Sequence, residues 1–161
     1  MNKLLETLQN LDFPKQTRNN VGGTYEGFVL GRITSWAGKG DKAGYRKVDS
    51  LKTGKPKYKE VHKLAVNVMK KKDPKFPFTS IQFNKNKQMK KHKDAKNVGE
   101  SYIIGLGNYT GGELIVYNTD GKSEKKRVNI KNKWYKFDGS TFPHETAPFT
   151  GTRYTLVYYK N

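Results

Sequence analysis

Apolar residues recur every three or four positions in two stretches of the chain and alternate with polar ones over most of the rest. In "NKLLETLQNL" the leucines Leu4, Leu5, Leu8 and Leu11 fall at helical spacing, which predicts a short amphipathic helix packed on the domain. "YKEVHKLAVNVMKKK" returns to the same period, with Tyr58, Val61, Leu64, Ala65, Val68 and Met69 on one face and lysines around the other. A second helix is expected there, ended by Asp73-Pro74. Between the two, "GGTYEGFVLGRITSW" reads as a strand region opened by Gly22-Gly23. The Gly- and Lys-rich "AGKGDKAGYRKVDSLKTGKPK" that follows reads as a mobile, exposed loop.

After Pro77 the pattern changes to short aromatic and β-branched segments: "FTSIQFN", "GESYIIGLG", "GELIVYN", "KRVNI", "KWYKF" and "TRYTLVYY". Turn residues separate them in "NYTGG", "NTDG", "FDGS" and "PFTG", so the C-terminal half should be an antiparallel sandwich or barrel. No internal repeat is visible. A length of 161 residues predicts one α+β domain, with residues 1–75 as helical and loop support for a β-rich core over 76–161.

Charge adds a partner to this picture. Thirty-two Lys and Arg against 14 Asp and Glu give a formal net charge of +18, which calls for a polyanionic partner or a strongly charged surface. The absence of cysteine excludes disulfides and thiolate zinc sites and agrees with an intracellular setting. "MNKLLETLQNLDF" lacks the apolar run of a signal peptide and no segment approaches a membrane span, so a soluble protein of cytoplasm or nucleus, or of a host cell if viral, is expected. It is taken as a monomer with no membrane partner.

Histidine is scarce, and its placement is informative. Of three histidines, His62 lies in the second predicted helix, whereas His92 and His144 sit beside strand ends in the β-rich half. In an extended segment residues i and i+2 share a face, so His92 and Asp94 of "MKKHKDAKN" can reach one point while Lys93 turns away. A third ligand from a distant strand, His144, would complete two histidines and one carboxylate on one face of a metal, the arrangement of non-haem Fe(II) oxygenases. Taken alone, His92 among lysines can equally be a solvated polar residue.

In "TRYTLVYY", Arg153, Thr155 and Val157 share one face of a strand and Tyr154, Leu156 and Tyr158 the other. An inward guanidinium needs an anion: a planar carboxylate held bidentately, with Thr155 donating a further bond, or a core acid such as Glu113 or Asp138.

The combination of H-x-D at 92–94, a distal His144 and R-x-T at 153–155, with "NYTGGELIVY" between them, resembles the Fe(II)/2-oxoglutarate-dependent dioxygenases over roughly residues 76–160. The resemblance implies a double-stranded β-helix (jelly-roll) as the metal-binding core, with the N-terminal helices as support. It implies Fe(II), 2-oxoglutarate and O2 as cofactors. His92, Asp94 and His144 would then bind iron, and Arg153 with Thr155 the distal carboxylate of the keto acid. Such enzymes turn 2-oxoglutarate into succinate while hydroxylating a C–H bond.

Within that family "HKDAKN" is similar to the H-x-D-x-x-N of the TET and J-binding-protein branch, which oxidises the 5-methyl group of pyrimidines in nucleic acid. The resemblance implies Asn97 as a contact to the target base; as a plain residue it is also a turn or cap before Gly99. The cysteine-rich zinc-binding part of TET enzymes has no counterpart here. Lysines cluster in "MKKKDPK" and "NKNKQMKKHKD", the second running into the ligands, so Lys87, Lys90, Lys91 and Lys93 are candidate phosphate contacts, or else serve solubility. Trp36 and Tyr45 are candidate stacking partners, or core residues. A target base would have to leave its stack or come from a single strand, with DNA the expected nucleic acid ahead of RNA. The expected reaction is hydroxylation of 5-methylcytosine or thymine. The alternatives are a prolyl or lysyl hydroxylase with the same cofactor site, or a basic nucleic-acid-binding module without catalysis.

Overall fold

The computed structural model describes residues 1–18 and 23–161, so Gly22 of the expected strand opening lies outside the described residues. Among the described residues, two α-helices and ten strands follow in the order α1 (Asn2–Gln9), β1 (Lys15–Arg18), β2 (Gly23–Ala37), β3 (Gly44–Asp49), α2 (Pro56–Lys72), β4 (Ser80–Lys85), β5 (Ser101–Gly111), β6 (Leu114–Tyr117), β7 (Glu124–Val128), β8 (Tyr135–Phe137), β9 (His144–Thr146) and β10 (Phe149–Tyr159). Pro56 starts α2, where its missing N–H costs nothing, and Lys70, Lys71 and Lys72 lie in the last turn, where the helix dipole favours cations. Asp73 caps that helix, as the Asp-Pro pair predicts.

The strands form two sheets, paired antiparallel throughout. The larger has the order β1-β2-β4-β10-β5-β8, with β3 attached to the far end of β2; the smaller is β7-β6-β9. Period-two alternation splits the large sheet into two faces. Phe28, Ile81, Phe83, Leu106, Leu156 and Tyr158 join Leu4 and Leu8 of α1 and Val61, Ala65 and Met69 of α2 in one core. The opposite face meets the small sheet through a second cluster of Ile103, Leu114, Val116, Ile130 and Phe137. Helices, large sheet and small sheet are therefore stacked in that order, and the polar residues that alternate with the first core point toward the small sheet.

Two expectations change. The stretch from Ala37 to Lys57 is not a loop throughout: Gly44–Asp49 is a strand paired with β2 from Arg32↔Asp49 to Ala37↔Gly44. Its pairing comes from its neighbour, since its own sequence shows no apolar alternation. The first 75 residues thus add β1 and β3 to the two expected helices and the expected strand region of β2. Among the described residues no helix is long and apolar enough to cross a membrane.

Candidate active site

The segment carrying His92 and Asp94 lies between β4 and β5 and is tied to β9 by a single bridge. His92 N–H donates to the His144 carbonyl at 3.0 Å, and His144 N–H to that of His92 at 2.9 Å. This reciprocal pair sets the two imidazoles side by side, centroids 4.5 Å apart. Asp94 N–H donates to the Gly139 carbonyl at 2.9 Å, which turns its carboxylate to the same point. His92 Nε2 lies 3.6 Å from Asp94 Oδ1, and His144 Nε2 lies 3.2 Å from Asp94 Oδ2. One ligand atom from each of the three falls within 4.8 Å of the others, so this set can hold a metal ion.

The tautomers suit that role. His92 Nδ1 is 2.6 Å from the Lys90 carbonyl and His144 Nδ1 is 2.9 Å from the Phe142 carbonyl. A carbonyl only accepts, so each Nδ1 carries a proton, and each Nε2 is the ring nitrogen turned to the shared point. Gly139 leaves room for this arrangement, since a Cβ there would stand 3.1 Å from His144 Cε1 and 3.3 Å from Asp94 Oδ2.

Arg153 lies on the same cavity, 3% exposed, on the face of β10 turned to the small sheet. Its Nη2 donates to the Gly112 carbonyl at 2.9 Å, and its guanidinium sits against the rings of Tyr109 and Phe149 at 5.6 and 5.5 Å. Nε has no partner, and neither has the Tyr109 hydroxyl. Neither acid considered from the sequence pairs with it. Asp138 instead accepts from the Ser140 and Thr141 hydroxyls in a tight turn, and Glu113 acts only as a more distant attraction. Burial pushes the guanidinium below its ordinary pKa, and Tyr109 and Glu113 partly oppose that. Gly112, at φ +67°, leaves the space for Nε, 2.7 Å from where its Cβ would be. Thr155 is buried beside it and accepts from Asn84 Nδ2 at 3.1 Å.

The cavity, about 220 Å³, brings His92, Asp94, His144, Arg153, Thr155 and Asn97 onto one lining. Asn97 is half-buried, with its N–H on the Asp94 carbonyl at 3.0 Å, so it is both a turn residue and a wall residue. The lysines are dispersed. Lys90 and Lys93 are exposed, Lys91 donates to the Gly121 carbonyl at 2.8 Å and lies 3.9 Å over the Tyr117 ring, and Lys87 lies 5.9 Å from the Tyr25 ring. His62 remains on α2, its pKa lowered by burial, away from the cavity lining.

No protein-family model matches the sequence, and no curated protein is recognisably similar to it. Solved structures are. A 2OG-Fe(II) oxygenase family oxidoreductase from Burkholderia pseudomallei superposes with a TM-score of 0.61 at 20% identity, over 98% of this chain and 76% of its own. The fold is that of a 2OG-Fe(II) oxygenase. NgTET1 in complex with 5mC DNA superposes with a TM-score of 0.55 at 16% identity, over 84% of this chain and 60% of its own.

In this oxygenase fold one wall of the cavity escaped the sequence reading. Gln82 and Asn84 on β4 are buried, and Gln82 Nε2 donates to Asn84 Oδ1 and to Gln16 Oε1, each at 3.1 Å. Tyr25 donates to the same Gln16 oxygen. The signal was present in "SIQFNK", where polar residues alternate with Ile81 and Phe83 in a strand buried on both faces.

Proposed function

We propose that the chain is a single-domain Fe(II)/2-oxoglutarate-dependent dioxygenase, residues 1–161, built on a double-stranded β-helix, acting on the 5-methyl group of a pyrimidine in nucleic acid. One observation carries the cofactor half of this reading: a buried guanidinium without a carboxylate partner among the described residues faces the same cavity as two imidazoles and a carboxylate with converging ligand atoms. Two nitrogens and one carboxylate oxygen are the donor set that suits Fe(II) while leaving other positions open. A buried, unpaired cation is costly, and a dicarboxylic keto acid is an anion that relieves the cost.

Each residue then has a task of its own. His92, Asp94 and His144 hold the metal, and the Lys90 and Phe142 carbonyls keep both imidazoles in the binding tautomer. Arg153 takes the distal carboxylate, with Nε as the waiting donor and Thr155 beside it. Ile103, Leu114, Phe137 and Val157 give the cavity an apolar wall that limits water. When bound, iron and 2-oxoglutarate supply the oxidation, in which O2 converts the keto acid to succinate and CO2 and delivers its second oxygen to a C–H bond.

The nucleic-acid half rests on the +18 charge, on Lys90 and Lys93 exposed beside the ligands, and on Asn97 in the cavity wall. The fold shared with NgTET1, solved with 5mC DNA, supports this choice of substrate. A base must be extruded or unpaired to reach ligands set this deep. Incubation with Fe(II), 2-oxoglutarate and a 5-methylcytosine oligonucleotide, read by mass spectrometry, should show the strand gaining one oxygen atom. Hydroxylation of proline- or lysine-containing peptides, with the oligonucleotide unchanged, would make the protein a side-chain hydroxylase instead.

A further inference from the structure

Past Gly31 the chain leaves the large sheet. β2 pairs with β4 only as far as Gly31, and Arg32–Ala37 then pair with β3 alone. The result is a two-stranded ribbon, a form that is marginal in water without something packed on it. Its cross-strand pair Trp36↔Tyr45 is 60% and 66% exposed, with ring centroids 5.0 Å apart in an edge arrangement. Side chains of this size contribute to stability by burial, and here they remain in solvent. Lys47, opposite Thr34, shares their face of the ribbon, and Arg46, opposite Ser35, lies on the other. Arg46 Nη2 donates to the Lys42 carbonyl at 2.7 Å, and Lys47 Nζ donates to Thr34 Oγ1 at 2.7 Å. Lys96 Nζ lies 4.3 Å over the Tyr45 ring. That contact puts the ribbon next to the loop bearing Asp94 and Asn97, which lines the cavity.

We propose that this ribbon binds single-stranded nucleic acid. Trp36 and Tyr45 stack on unpaired bases flanking the nucleotide in the cavity, and Lys47 and Lys96 meet the adjoining phosphates. Aromatic faces set among cations are the two elements of sequence-tolerant single-strand binding: the first takes any base, and the second follows the backbone. The inference rests on the nucleic-acid reading of the site and adds the path of the strand across the protein.

The protein has two tryptophans, and Trp134 packs in the helix-side core against Tyr102 and Tyr158. In a Trp134→Phe variant, fluorescence therefore reports Trp36 alone. Titration with an oligodeoxycytidylate, which carries no methyl group to oxidise, should quench Trp36 as the strand binds. Trp36→Ala and Tyr45→Ala in the otherwise unaltered protein should each weaken binding about tenfold at low salt, in line with the cost of losing one stacked base. Their thermal midpoints should stay unchanged, since both side chains are exposed. Equal binding by both alanine variants with Trp36 unquenched overturns the ribbon as the contact and leaves the substrate reading standing. Quenching and weakened variants, with a methylated strand never oxidised, support the ribbon and overturn the substrate reading. An acidic peptide that quenches Trp36 as well as the oligonucleotide does overturns the assignment to nucleic acid.

Discussion

Replacing Arg153 by Met keeps much of the side chain's length and removes its charge, and the structure indicates what that should cost with and without ligand. The Arg153 guanidinium donates to the Gly112 carbonyl, lies against Tyr109 and Phe149, and pairs with no carboxylate among the described residues. Losing a bond to a charged group costs about 1.5 to 3 kcal/mol. Removing an unpaired buried charge returns several kcal/mol of desolvation. The two nearly cancel, so ligand-free Arg153→Met should melt within about 5 °C of the unaltered protein at roughly 2 to 4 °C per kcal/mol. Breaking a structural ion pair would instead cost about 3 to 5 kcal/mol and lower the midpoint by roughly 6 to 20 °C. With 2-oxoglutarate bound, the same change leaves a desolvated carboxylate unpaired, a loss of about 2 to 5 kcal/mol, so affinity should fall at least ~30-fold. Calorimetric titration of 2-oxoglutarate into Mn(II)-loaded protein without oxygen measures the second quantity, and differential scanning calorimetry the first. Unchanged keto-acid affinity, or a large loss of ligand-free stability, would make Arg153 a structural residue and refute its role as the clamp.

Other expectations follow from the same geometry. Asp94→Ala should abolish measurable Fe(II) or Mn(II) binding while circular dichroism stays native, because it removes the carboxylate that both imidazoles face. Gly139→Ala should weaken metal affinity about 10- to 100-fold in the same titration, since its methyl group would crowd His144 Cε1 and Asp94 Oδ2, both fixed by backbone contacts. Lys90→Gln combined with Lys93→Gln should flatten the salt dependence of oligonucleotide binding by about one to two units of slope, whereas Asn97→Ala should lower conversion of the methylated base with binding little changed. Tyr117 donates to Glu145, which pushes its pKa up to about 12. Its contribution to stability is therefore full below pH ~10, the unfolded phenol's pKa, and is lost as pH rises through about 12. In a spectrum of tyrosine labelled at Cζ, Tyr117 should still be protonated at pH ~11, and Glu145→Gln should move its midpoint toward ~10.

Much of the β-rich half was legible because it obeys period two. Ile81 and Phe83 alternate with the polar Ser80, Gln82 and Asn84, and glycine turns mark where several strands stop. The pairing of His92 with Asp94 was legible for the same reason, although isolated backbone contacts to His144, Gly139 and Thr146, not a strand, hold that segment in place. β3 was hidden because "GYRKVD" is exposed and owes its conformation to β2 rather than to any core face of its own. For Arg153 the sequence placed the side chain inward but left its partner open, and only the structure shows Asp138 spent on Ser140 and Thr141. The lysine run read as one cluster, yet backbone geometry separates it: Lys91 lies on Tyr117, and Lys90 and Lys93 face solvent. Trp36 and Tyr45 show the limit of composition, since large aromatics usually belong to a core and here stand on a projecting ribbon.

Succinate formation measured together with the mass of a 5-methylcytosine oligonucleotide tests the assignment of the cavity most directly. With Fe(II), 2-oxoglutarate and air, succinate should appear in step with a strand heavier by one oxygen atom, and both should vanish when His144 is replaced by Ala. If the iron-loaded, folded protein releases no succinate and binds no 2-oxoglutarate, the assignment is contradicted.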